Sequence, residues 1–248
     1  MRTSNPALPD NLFANFGYAH TADSMTMQGV VMKTGILLLL VLLSAAWTWH
    51  HFFLSGGNVA AVSNWLLIGA IGGFVVALIT VFKPIWANIT APIYAVLEGL
   101  FMGGVSALME QSFPGIVMQA ILLTAGTLFA MLALYRSGWI AVTDNFKLGI
   151  AAATGGIAIA YLISFVLSFF NIQVPLIYGN GMVGIGFSIF VVIIAALNLI
   201  LDFDFIEKGA RSGAPKYMEW YGSFALMVTL LWLYIEILRL LSKIRSRD

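Results

Sequence analysis

Residues Gly181–Leu201 read GMVGIGFSIFVVIIAALNLIL without one charged side chain, and Asp202-Phe203-Asp204 follow at once. As an α-helix rising 1.5 Å per residue, this run is about 30 Å long, the thickness of a bilayer's hydrocarbon core. It is apolar on every face, so it lacks the alternation of a membrane β-strand. Six further runs share this character: Thr34–Phe53, Asn64–Phe82, Ala91–Met109, Gly115–Tyr135, Leu148–Phe170 and, beyond the first, Tyr221–Leu241. Only Glu98, Glu236 and Arg239 place charge inside any of them. Backbone polar groups in lipid must be satisfied within the segment, which leaves helices. The fold class predicted is an all-α membrane protein, a seven-transmembrane-helix bundle.

The whole chain agrees. Of its 248 residues 60% are hydrophobic and only 9% charged, with a mean hydropathy of +0.95. A soluble domain carries roughly 25% charged residues, so this chain could not cover a water-facing surface. A soluble enzyme and a secreted module are excluded, and a bilayer is the first partner implied. The net charge of +1 leaves no basic face for nucleic acid. Cysteine is absent, which removes disulfides, thiolate metal sites and cysteine nucleophiles. Three parts follow: a cytosolic N-terminal tail over residues 1–33, the transmembrane domain over 34–241, and a basic tail over 242–248. The tail before the first run is polar, with Pro6, Pro9, Asp10 and Asp23, and an amphipathic stretch is expected in it. The first run continues past its small residues through Trp47 to Phe53, which argues against a cleaved signal.

Orientation follows from lysine and arginine. Arg2, Lys33, Lys83, Arg136, Lys147, Lys208, Arg211 and Lys216 all fall on one side, whereas Leu54–Ser63, Glu110–Pro114 and Asn171–Asn180 hold none. The N-terminus is therefore expected in the cytosol. Seven crossings put Lys243, Arg245 and Arg247 outside, against the rule. A re-entrant last segment would avoid this, but Ser223–Leu241 has no Gly or Pro to turn on. Full spans are the expectation. Gly69/Gly73, Gly99/Gly103, Ala151/Gly155 and Ala152/Gly156 are small-residue pairs that predict close helix packing.

Ionisable groups at bilayer depth are costly and usually face a bundle interior or a wet cavity. Glu98 lies seven residues into its span and Glu236 fifteen into the last one, with Arg239 three residues on as a local partner. Asp202 and Asp204 end the sixth span, two residues apart and so about 200° apart around a helix. Asn198, one turn before Asp202, favours Asp202 as the inward one. Thr229 shares a helix face with Glu236. Enzymatic patterns are weak. Gly186-Phe187-Ser188-Ile189 has the form GxSx, but the histidines His20, His50 and His51 all precede the second span, and serine chemistry of that type needs a base within reach. No HExxH motif or phosphate-binding loop is present. The chain is expected to be no enzyme and to need no cofactor.

Four segments together resemble the Bax inhibitor-1 family (transmembrane Bax inhibitor motif proteins) in its bacterial branch. They are Met25-Thr26-Met27-Gln28-Gly29, Pro92-Ile93-Tyr94-Ala95-Val96-Leu97-Glu98-Gly99, Leu201-Asp202-Phe203-Asp204-Phe205-Ile206-Glu207 and Glu219-Trp220-Tyr221-Gly222. The resemblance covers nearly the whole chain. It implies a bacterial inner-membrane protein, a seven-helix bundle with the last helix central, and a pH-sensitive calcium leak governed by two acids. Asp202 matches the first acid by position. Aligned on Glu219-Trp220-Tyr221-Gly222, the second position holds Thr229 in place of the aspartate that the family pattern expects. Glu236 is two turns further out, roughly 20 Å from Asp202 along the membrane normal, too far for one hydrogen-bonded pair. The second helix has no arginine to lock such a pair, and Lys83 at its end is the nearest substitute.

Two functions are compatible with these residues. Glu98, Asn198, Asp202, Thr229 and Glu236 could line a staggered path for calcium or another cation, with Glu98 and Asp202 as weak, transient ligands. Asp204, Lys83 and Arg239 would be secondary. Alternatively, the chain is a non-conducting membrane regulator that binds other membrane proteins through its small-residue faces.

Overall fold

The computed structural model describes residues 24–172 and 174–247. Eight helices account for almost all of them: α1 Met27–Leu54, α2 Ala60–Phe82, α3 Ala87–Ser112, α4 Ile116–Arg136, α5 Asp144–Ser168, the short α6 Pro175–Tyr178, α7 Met182–Arg211 and α8 Met218–Arg245. All but α6 are long and apolar enough to cross a membrane. No strand occurs among the described residues, where Ser24 and Pro215 form an isolated bridge. The amphipathic stretch expected in the N-terminal tail lies outside the described residues.

Each of the seven long helices matches one apolar run, and the ends differ for local reasons. Met27–Met32, read as tail, already belongs to α1 because Thr26 caps the helix, its hydroxyl accepting from Gly29 N at 3.0 Å. Thr143 caps α5 in the same way, accepting from Phe146 N at 3.2 Å. That cap brings Lys147 into the first turns of α5 rather than leaving it in a loop. α8 runs unbroken for 28 residues, about 42 Å, so the last segment does not turn back.

Large apolar side chains point outward along the spans, among them Leu42, Phe74, Phe129 and Leu162, each more than half exposed. Such a surface is tolerable only in lipid. α8 and α7 are the most enclosed helices: 56% and 50% of their apolar windows are buried, against 17–22% for α1, α2, α4 and α5. The last helix is thus the most buried of the seven.

The helices divide into two compact units, to both of which α7 and α8 contribute. One is built from Gly115–Asp204 and residues 229–247, the other from residues 24–114 and Phe205–Val228. In the second unit α3 packs on α1 and α2 through the predicted small residues. A methyl group on Gly69 would lie 2.6 Å from the Leu97 carbonyl, and one on Gly103 would strike the backbone of Ala45. The pairs on α5 behave differently. Gly155 and Gly156 have nothing within 4 Å of an added methyl among the described residues, so they face outward rather than into a helix contact.

Candidate functional site

The first unit contains a column of polar side chains carried by α5, α7 and α8. Its basis is periodicity. The inward face of α5 carries Lys147, Ile150, Thr154, Ile157, Tyr161 and Ser164, at alternating steps of three and four residues. α7 does the same with Ser188, Val191, Ala195, Asn198 and Asp202, all buried, and α8 places Thr229, Glu236 and Lys243 seven residues apart. Steps of three and four keep a residue set on one side of a helix, so the polar positions stack. Ile157, Val191 and Ile194 form an apolar cluster with Phe187 and Trp232 around them.

Four levels of contact follow along the column. At one end Lys147 Nζ pairs with Asp204 Oδ2 at 2.9 Å, its side chain 6% exposed. Next, Asn198 Nδ2 donates to Thr154 Oγ1 at 2.9 Å and to the Ile194 carbonyl at 2.8 Å. At the third level the Tyr161 hydroxyl donates to both Glu236 carboxylate oxygens at 3.0 Å. Arg239 Nη1 donates to the same two oxygens at 2.8 and 3.0 Å and to the Tyr161 hydroxyl at 2.6 Å. The guanidinium also lies 5.0 Å from the centre of the Tyr161 ring. At the far end Lys243 Nζ donates to the Gly184 carbonyl at 3.0 Å and to Ser188 Oγ at 2.9 Å.

The site residues read from the sequence distribute as follows. Asn198, Asp202, Thr229 and Glu236 are all buried in this unit. Asp202 is 1% exposed, while Asp204 is half-buried and held by Lys147. From Lys147 to Tyr161 the column advances fourteen residues along α5, about 21 Å, so the Asp204 and Glu236 levels are well separated. Glu98 belongs to the other unit. It is half-buried and hydrogen-bonded to Tyr94, with its Oε2 3.0 Å from where a Gly73 methyl would stand. Its carboxyl is thus turned onto α2. Lys83 is exposed at the end of α2, its ammonium 5.7 Å from the Trp86 ring centre, an interfacial anchor.

Sequence reasoning missed Lys147, Thr154, Tyr161, Ser188 and Lys243 as members of this column. The repeat of 147, 154 and 161 and that of 229, 236 and 243 were the available signals.

The second unit holds a different polar cluster, also missed. Glu219, fully buried in the first turn of α8, accepts from the Thr26 amide at 2.9 Å and its hydroxyl at 2.8 Å. It pairs with Lys33 and, at 3.1 Å, with Lys216. A methyl on Gly29 would collide with this carboxylate. Ser223 donates to the Val30 carbonyl at 2.9 Å, and the Lys33 ammonium lies 5.4 Å from the Trp220 ring centre. Tyr94 meets Phe224 edge-on at 5.0 Å, and Tyr221 packs on Phe205 at 6.4 Å. Within this unit Met25, Thr26, Phe205, Ile206, Glu219, Tyr221 and Gly222 of the motifs meet in one packed junction, and Tyr94 reaches it through Phe224. The profile of one protein family, described as Bax inhibitor 1 like, matches residues 5–246.

The chain belongs to the Bax inhibitor 1 like family. No curated relative and no solved structure matches it. As a Bax inhibitor 1 like protein it carries its departure from the expected pattern inside the column. Thr229 stands where the resemblance implies an acid, and the buried Glu236 is engaged by Tyr161 and Arg239. The column can offer carboxylate, hydroxyl, amide and carbonyl oxygens in sequence. Such oxygens suit hard cations, held weakly at successive positions. Among the described residues no cluster of three His, Cys, Asp or Glu side chains could hold a metal ion tightly.

Proposed function

We propose that this Bax inhibitor 1 like protein is a slow, pH-sensitive cation leak, with calcium as its ion, and that it performs no enzymatic reaction. The observation that carries the reading is the stack of buried polar groups from Lys147–Asp204 to Lys243–Ser188 in a chain otherwise made for lipid. Buried polar side chains in membrane spans are costly, and paired ones with exchangeable oxygens mark ion paths. Asp202 is the proposed ligand at the Asp204 end, and Glu98 a proposed ligand in its own unit. Protonation removes the charge that attracts the ion, so flux falls as pH falls.

Calcium uptake by proteoliposomes of the purified protein tests this. Uptake above that of empty vesicles, reduced and made less pH-dependent in Asp202→Asn and in Glu98→Gln, supports the reading. Unchanged uptake in both variants leaves the non-conducting regulator as the better one. The outward-facing Gly155 and Gly156 favour that second reading, since they leave a small-residue face for another membrane protein.

The site of action we propose is a bacterial inner membrane, with the N-terminus in the cytosol and the C-terminus outside. The absence of native cysteine makes this direct to test. Arg247→Cys should react with an impermeant maleimide on intact cells, and labelling only after lysis would reverse the orientation.

A further inference from the structure

Rung by rung, the column is not electrically uniform. Around its Asp204 end stand Asp202, Asp204 and Lys147, two formal negative charges and one positive. Around its Lys243 end stand Glu236, Arg239 and Lys243, one negative and two positive. Glu236 is already engaged by Arg239 at 2.8 Å, and both hydrogen-bond partners of Lys243 are uncharged oxygens. Lys243 is 4% exposed although it stands in the last turn of α8, where a lysine's long side chain can usually reach water. A backbone carbonyl and a serine hydroxyl are the neutral ligands a dehydrated calcium ion would take. The ammonium occupies them instead. Ser164, one turn from Tyr161 on the same face of α5, adds a buried hydroxyl with no partner among the described residues.

We propose that Lys243 is a tethered cation that fills the oxygen site formed by Gly184 and Ser188 and thereby restricts passage of metal cations through the column. The inference rests on the leak reading and names its regulating residue. A cation entering from the Asp204 end meets attracting charge first and a fixed ammonium last. The leak is therefore slow because its far end is occupied, and not because its ligands are few. Removing the ammonium while keeping the helix contacts should open the site. Replacing it by another permanent cation should not.

Calcium uptake into proteoliposomes separates the possibilities, using wild type, Lys243→Met, Lys243→Arg and Lys243→Met combined with Asp202→Asn. Lys243→Gln, which keeps a hydrogen-bonding head without charge, serves as a second neutral variant if the methionine form does not fold. Monodispersity and thermal melting establish folding for each. The expected result is uptake at least tenfold faster in the neutral variant, near wild type in Lys243→Arg, and lost again in the double variant. A folded neutral variant no faster than a wild type that does conduct would overturn the tethered-cation role and leave the leak itself standing. Equal acceleration by arginine and methionine would also overturn it, since loosened packing would then be the cause. If no calcium crosses with any folded variant, the leak and its plug fall together.

Discussion

Glu219 and Glu236 are glutamates on the same helix, and both are buried, at 0% and 1% exposure. Their surroundings separate them. Glu219 sits in the first turn of α8, where the helix dipole favours a carboxylate. Two lysines, a backbone amide and a hydroxyl close around it, and the amide and hydroxyl come from Thr26, 193 residues away in the chain. Glu236 lies deep in the span with one arginine and one tyrosine, and polar groups continue before and after it along the column. The first is a clasp that joins the starts of α1 and α8 and leads nowhere. The second is one level of a series. Burial of an acid does not by itself point to a path; the continuity of its polar neighbours is what supports the proposed one.

The clasp is where substitution should cost most stability. Glu219→Ala removes the partner of two lysines and leaves the Thr26 amide without its acceptor. Losing one side of a buried charged pair costs several kcal/mol, and because Lys216 is half exposed and can turn to water, about 3 kcal/mol is expected. Thermal melting in detergent should show this as a marked drop, and an unchanged melting point would mean that the clasp is ornamental. Glu236→Gln should cost less, about 1 kcal/mol, because glutamine still accepts from Tyr161 and Arg239 is one-third exposed to solvent. Its calcium uptake should fall only about twofold, since the Arg239 charge left without its partner is one-third exposed and screened by solvent. A collapse of flux in Glu236→Gln would move the principal ion site from the Asp202 end to the middle of the column.

The seven spans were legible because each helix must be apolar over its full bilayer depth, a one-dimensional property. Asp202 and Glu236 stood out for the same reason, as charge against that background. What could not be read was which helix faces which. Tyr161 became the partner of Glu236 through the packing of α5 on α8, and Lys147 left its loop because Thr143 caps a helix ahead of it. Lys243 looked like a tail charge in breach of the positive-inside rule, and the structure shows a buried group bound by α7. Glu219 is legible only as part of a motif, since nothing in the chain's order announces that Thr26 and Lys33 meet it.

The most direct test of the comparison measures calcium uptake side by side in proteoliposomes of wild type, Asp202→Asn and Glu219→Gln, normalised to folded protein. If the column conducts and the clasp only holds, Asp202→Asn should lose about tenfold in uptake while Glu219→Gln matches wild type. Retention of full uptake in Asp202→Asn, or its loss in well-folded Glu219→Gln, would contradict the assignment of the path to the column.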